Sequence, residues 1–131
     1  MALGKSVRRS SAVQKKPSNH AKGMLAEATA EILLRTQGYS ILARRFKTAS
    51  GEIDLVARRG SRVAFIEVKR RATIDDAAEA ITRKLRGRVR HAAELWLQDH
   101  EDDLSLDPAF DVVLMAPGQW PVHMTDAFPF E

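Results

Sequence analysis

Two short segments constrain this chain most: Gly51-Glu52-Ile53-Asp54-Leu55-Val56 and Phe65-Ile66-Glu67-Val68-Lys69, with Arg59-Gly60-Ser61 between them. Each alternates in the two-residue period of a β-strand, and the glycine-bearing turn predicts an antiparallel hairpin. Residues two apart on a strand share a face. Glu52 and Asp54 are therefore expected on one face, with Ile53 and Leu55 on the other. Likewise Phe65, Glu67 and Lys69 should be co-facial, with Ile66 and Val68 turned to a core. Pairing sets Asp54 against Glu67, and opposed like charges destabilise a ladder. Lys69, an arginine or a divalent ion must offset them.

Two carboxylates and a lysine brought together point to metal-dependent phosphodiester hydrolysis. Mg²⁺ suits such a site, because it takes hard oxygen ligands at about 2.0–2.1 Å and keeps several waters; Mn²⁺ is the alternative. Asp54 and Glu67 are the expected ligands, with the Val68 carbonyl as a further oxygen. A metal-bound water is a usable nucleophile near neutral pH, and the ion neutralises charge building on the phosphate. Lys69 has two open roles. It can orient or deprotonate water if its pKa falls below about 10.4, or stabilise the transition state as a cation. An isolated Glu-Val-Lys on a strand is an ordinary solvent-facing pattern; Asp54 on the partner strand is what sets this one apart.

The 131 residues suffice for one domain with a core, and 44% are hydrophobic, an ordinary share for a folded chain. The absence of cysteine excludes disulfides and thiolate zinc sites and fits a cytoplasmic protein. No stretch approaches the roughly 20 apolar residues that span a bilayer, so no membrane association is expected. Arg8-Arg9 is followed by polar residues, so no export signal is expected either. The net charge of +4 conceals a strong asymmetry: residues 35–90 hold most of the basic groups, while nine acids and no lysine or arginine follow from His91 onward. A basic middle attracts polyanions, although a solubilising surface has the same composition.

Residues 1–19 are polar and basic without apolar periodicity, and read as a disordered arm ahead of a folded domain over 20–131. Ser18 or Asn19 caps a first helix whose buried stripe is Ala21, Leu25, Ala28 and Ile32, and which Gly38 stops. Glu27 and Glu31 share a flank of it. Strands follow near Ser40–Phe46, Glu52–Arg58 and Arg62–Lys69, an antiparallel meander. A second helix is expected over Ala77–Gln98, with Leu85, Val89, Ala92, Ala93, Trp96 and Leu97 inward and Arg83, Lys84, Arg86, Arg88 and Arg90 outward. Gly87 weakens this helix or admits a close neighbour. Phe110–Met115 reads as a buried strand and Val122–Phe128 as an edge strand.

Other chemistries have less support. His20, His91, His100 and His123 lack ligand spacing, and no Gly-x-Ser-x-Gly elbow or phosphate-cradling glycine loop occurs. Trp96 is expected in the core. Trp120 is expected as a packed loop anchor rather than an exposed stacking residue.

The two core segments are accompanied by Gly23-Met24-Leu25-Ala26-Glu27, Gln37-Gly38-Tyr39, Ile41-Leu42-Ala43-Arg44, Lys84 and Phe110-Asp111-Val112-Val113. Over about residues 20–131 this set resembles the YraN family of small bacterial proteins. That family belongs with the PD-(D/E)xK nuclease superfamily and is similar in its core to archaeal Holliday-junction resolvases. The resemblance implies an α/β, restriction-endonuclease-like fold, with a central mixed sheet flanked by helices. It implies a catalytic set of Glu27, Asp54, Glu67 and Lys69, with Asp111 closing the same site and Lys84 meeting phosphate among the cations at 83–90. Ile53 stands where the superfamily name has proline, and Arg45 where the family pattern has asparagine. The implied substrate is DNA, including branched DNA. A homodimer would supply two centres for two-site cleavage. The rival expectation is a non-catalytic nucleic-acid-binding or adaptor protein that keeps the fold.

Overall fold

The computed structural model describes residues 18–103 and 105–129. The arm expected over 1–19 lies mostly outside them, and Asn19 already belongs to the first helix. Helix α1 spans Asn19–Thr36; Ser18 caps it by accepting from the Ala21 N–H at 3.0 Å. Gln37 ends it, and Gly38 takes φ +91°, the left-handed conformation that a helix stop demands. Strands β1 (Ser40–Thr48), β2 (Gly51–Arg59) and β3 (Arg62–Arg70) form the antiparallel meander. Two helices, α2 (Ile74–Glu79) and α3 (Arg83–Gln98), then carry the chain to β4 (Asp107–Met115), and β5 (Val122–Phe128) closes the sheet.

All five strands form one mixed sheet in the order β1-β2-β3-β4-β5. Only β3 and β4 run parallel, which requires the long crossover that α2 and α3 supply. The fold is thus α/β, a mixed sheet flanked by helices. The single helix expected over 77–98 is two: the first stops at Ala80, and Thr82 caps the next by accepting from the Leu85 N–H. A threonine that bonds the backbone ahead of it favours a helix start over a helix interior.

Each face of the sheet carries a core. On one, Val89, Ala92, Ala93 and Trp96 of α3 pack against Ile53, Val56, Phe65, Phe110, Val112 and Leu114. Phe65 meets Trp96 edge-on at 5.6 Å, and Phe110 stacks on Phe128 at 4.6 Å, so Trp96 is core as expected. On the other face α1 packs through Ala26, Ala30 and Leu34, not through the stripe expected from its periodicity. Leu25 and Ile32 are 62% and 64% exposed. The helix carries apolar residues on both flanks, and the alanine flank wins because small side chains let a helix lie close on a sheet. Trp120 is 91% exposed, not a packed anchor. No helix among the described residues is long and apolar enough to cross a membrane.

The close neighbour expected at Gly87 lies elsewhere. A Cβ at Gly87 would meet open space, whereas one at Gly51 would collide with the backbone carbonyl of Arg88, where α3 crosses the start of β2. Gly51→Ala is expected to lower stability by about 1–3 kcal/mol through this overpacking. Gly87→Ala should raise it by about 0.5–1 kcal/mol through helix propensity. Parallel urea melts of the two variants measure both.

Candidate active site

The β2–β3 hairpin does not stay zipped to its end. The β2–β3 ladder runs from Arg59↔Arg62 to Leu55↔Ile66, and its pairing ends there. Beyond it Oδ2 of Asp54 accepts the Val68 N–H at 2.8 Å, so a side chain replaces the backbone acceptor. The cause is a slip in alternation. Ile53 and Val56 both face the α3 side, while Leu55 and Ala57 face the α1 side. Ile53 and Leu55 therefore lie on opposite faces, not on one as strict alternation predicted. A matching slip in β1 leaves Ala43 and Phe46 both on the α3 side. Arg45 lies across from Asp54 within the two slips, between the pairs Arg44↔Leu55 and Phe46↔Ile53, and its φ is +51°.

This fork opens on a cleft of about 740 Å³. Glu27 of α1, Asp54, Val68 and Lys69 line it, together with Lys22, Arg70 and Arg71. Glu67 does not line it; its carboxyl is buried beside Asp54, 4% exposed, with Oε2 3.8 Å from Lys69 Nζ. Burial pushes the Glu67 carboxyl up from 4.5 to about 8, and the adjacent Asp54 charge adds to the effect. Asp54 is also raised by burial, but the Val68 N–H and the Lys69 charge favour its ionised form. Burial and mutual repulsion thus bias the pair toward keeping a proton, with Glu67 the more strongly raised of the two.

The residues fit a hard divalent cation in one specific respect. Oε1 of Glu67 is buried without a hydrogen-bond partner, and a buried acceptor left unmatched is costly. Two pressed carboxylates and the neighbouring Val68 carbonyl form an oxygen donor set. Among the described residues no three His, Cys, Asp or Glu side chains converge on one ion position. Glu27, the further acid expected here, points its Oε1 at Arg45 Nε, 2.9 Å away.

Other expected residues lie apart. Asp111 does not join the site. It is fully buried and accepts both Arg62 terminal nitrogens (2.8 and 2.7 Å), His123 Nε2 (2.8 Å) and the Asp126 N–H (3.0 Å). Burial alone would raise its pKa, but Arg62 and His123 outweigh it and hold it at about 2. His123 Nδ1 pairs with Gln37 Oε1, and Arg62 donates to Tyr39 Oη. This network ties the end of α1 to β3, β4 and β5. Glu31 is taken by Arg44 and Arg35 at the surface. On α3, the guanidinium groups of Arg86 and Arg90 lie over the Phe128 ring at 5.5 and 5.9 Å, while Arg83, Lys84 and Arg88 are exposed.

Sequence reasoning missed Lys22, Arg70 and Arg71 as cleft cations. The run Lys69-Arg70-Arg71 directly after Glu67-Val68 was the available signal. It also missed the Arg62–Asp111–His123 network, whose members stand far apart in the chain.

Known proteins place the chain by similarity. The model of the uncharacterised protein family UPF0102 matches residues 26–115. A UPF0102 protein of Bradyrhizobium sp. (strain ORS 278) is 50% identical over 106 residues, covering 81% of this chain and 75% of that protein. One of Rhodopseudomonas palustris (strain ATCC BAA-98 / CGA009) is 51% identical, covering 81% and 82%. Another, of Methylorubrum extorquens (strain PA1), is 46% identical over 114 residues, covering 87% and 89%.

Two predictions follow from this geometry. Between pH 4.5 and about 8 the folded chain keeps a Glu67 proton that the unfolded chain has lost. Stability in EDTA should therefore fall as pH rises through this window, by at most about 1.4 kcal/mol per pH unit. Glu67→Gln should remove that slope in urea melts across the window. Asp111→Ala leaves Arg62 and His123 without their buried counter-charge, and is expected to cost about 3–5 kcal/mol in the same melts.

Proposed function

The chain belongs to the uncharacterised family UPF0102, and we propose that it is a divalent-metal-dependent endonuclease that hydrolyses phosphodiester bonds in DNA. The observation that carries this reading is the fork. Asp54, in the lining of a cleft that Lys22, Lys69, Arg70 and Arg71 also line, is pressed against the buried Glu67 beside Lys69. Carboxylates crowded until one keeps its proton form a site whose charge calls for a cation. The cleft cations suit a phosphodiester backbone.

In this reading Asp54, Glu67 and the Val68 carbonyl hold Mg²⁺ or Mn²⁺, which when bound supplies a nucleophilic water and neutralises phosphate charge. Lys69, standing beside Glu67, faces the charge that develops on the scissile phosphate. Glu27, which also lines the cleft, assists the ion or its water. Lys22, Arg70 and Arg71 grip the backbone next to the break, and the exposed Arg83, Lys84 and Arg88 of α3 offer a separate phosphate-binding surface outside the cleft. Branched DNA enters only through the resemblance to resolvases. A binding module without turnover is the second reading, favoured by the engagement of Glu27 with Arg45 and the lack of a three-acid cluster among the described residues.

Incubation with linear, branched and single-stranded DNA and with RNA, in Mg²⁺, Mn²⁺ or EDTA, tests both. Cleavage should need metal and fall by at least about 10²-fold in Asp54→Ala, Glu67→Ala and Lys69→Ala. Binding should weaken with salt, at a log–log slope near 0.9 per phosphate contacted. Cleavage that survives all three substitutions overturns the nuclease reading. Salt-dependent binding with no cleavage under any metal establishes the binding module instead.

A further inference from the structure

Glu27 lines two cavities at once. One is the main cleft, which it shares with Asp54 and Lys69; the other is a side groove of about 370 Å³, also lined by Met24, Glu31, Arg44 and Arg45. Arg45 lines only the side groove. Its Nε holds Glu27 Oε1 at 2.9 Å, and its charge also acts on Asp54 and Glu52. Arg45 reaches this position from a left-handed backbone (φ +51°) within the slip of β1. A long side chain is uncommon in that region, which asparagine tolerates far better. Arg45 thus occupies a conformationally costly position, and from it engages one oxygen of an acid that also borders the cleft.

We propose that Arg45 is a counter-ion latch on the candidate active site: it holds Glu27 toward the side groove, and a divalent cation in the cleft recruits Glu27 by displacing it from Arg45. The inference rests on the metal-dependent reading above and adds to it a residue that sets how tightly the ion binds. Without the ion, Arg45 balances the charge of Glu27, and the acids of the fork are left as a pair. With the ion, Glu27 completes an acid set that the described residues do not otherwise assemble. Metal affinity then includes the loss of the Arg45–Glu27 pair. Both partners are partly exposed, so that loss is modest. Arg45 acts on the ion through Glu27 and is a positioning residue.

Calorimetric titration of the full chain with Mn²⁺ alone tests the latch without reference to turnover. Arg45→Asn suits the left-handed backbone and removes the cation; it should tighten Mn²⁺ binding about two- to fivefold, the scale of a partly exposed ion pair. Arg45→Lys keeps the cation and should bind as the parent does. In a Glu27→Gln background, Arg45→Asn should have a clearly smaller effect, because only the weaker pull of Arg45 on Asp54 and Glu52 is left to lose. Melts in EDTA establish that each variant is folded. Equal affinity in Arg45→Asn and the parent overturns the latch while leaving the metal site intact. So does the same tightening in the Glu27→Gln background, which would reduce Arg45 to a general field effect. Absence of Mn²⁺ binding from every folded variant overturns the metal-dependent reading itself, and the latch with it.

Discussion

Hydrogen bonding between the Asp54 carboxylate and the Val68 N–H is the contact on which the candidate site depends. A backbone donor in the middle of a sheet needs an acceptor, because an orphaned buried N–H carries the full cost of its desolvation. Where β2 and β3 part, the neighbouring strand no longer offers one, and Asp54 takes its place. That substitution brings a carboxylate into the sheet, next to the buried Glu67. The opening of the ladder and the raised Glu67 pKa are thus two consequences of one local event. A fully zipped hairpin would have satisfied Val68 with a carbonyl and left Asp54 free to turn toward water.

The frame around the fork is rigid for reasons unrelated to charge. Each side of the sheet has its own core, the α3 side through Phe65, Trp96 and Phe110 and the α1 side through small residues. At the other end of α1, Asp111 gathers Arg62, His123 and, through them, Tyr39 and Gln37. Acids are thus used in two opposite ways. Asp111 is matched by two cationic or donor side chains and is held strongly ionised. Asp54 and Glu67 are matched by Lys69 and backbone N–H groups, too little to offset their burial, and both are raised. Full matching marks Asp111 as a structural strut, and the incomplete matching of the fork marks a place where further positive charge is accommodated.

Much of this was legible in the chain. The alternation of 51–56 and 62–69, the turn at Gly60 and the helix stop at Gly38 located β2, β3 and the end of α1, because each depends on contacts only a few residues long. The acids and Lys69 were legible as a cluster for the same reason: one hairpin carries them all. Alternation failed at Ile53, because the slip at Asp54 is imposed by pairing with β1 and by packing under α3. It failed again on α1, where two apolar flanks compete and only the sheet's shape selects the alanine one. Trp120 was read as a packed loop anchor, but it stands 91% exposed.

By itself the sequence determined the strands and the first helix, the hairpin that brings Asp54, Glu67 and Lys69 together, and membership in a family, since these follow from local periodicity and from motifs written contiguously. Tertiary structure alone decided which acids share an environment. It sent Asp111, 44 residues after Glu67, to Arg62 and His123, and it set Glu27 against Arg45 across the gap between α1 and β1. It also brought Lys22 of α1 into the cleft beside Arg70 and Arg71. The reason is physical: the ionisation of a buried acid depends on which charges and donors lie within a few ångströms, and distance along the chain carries no record of that.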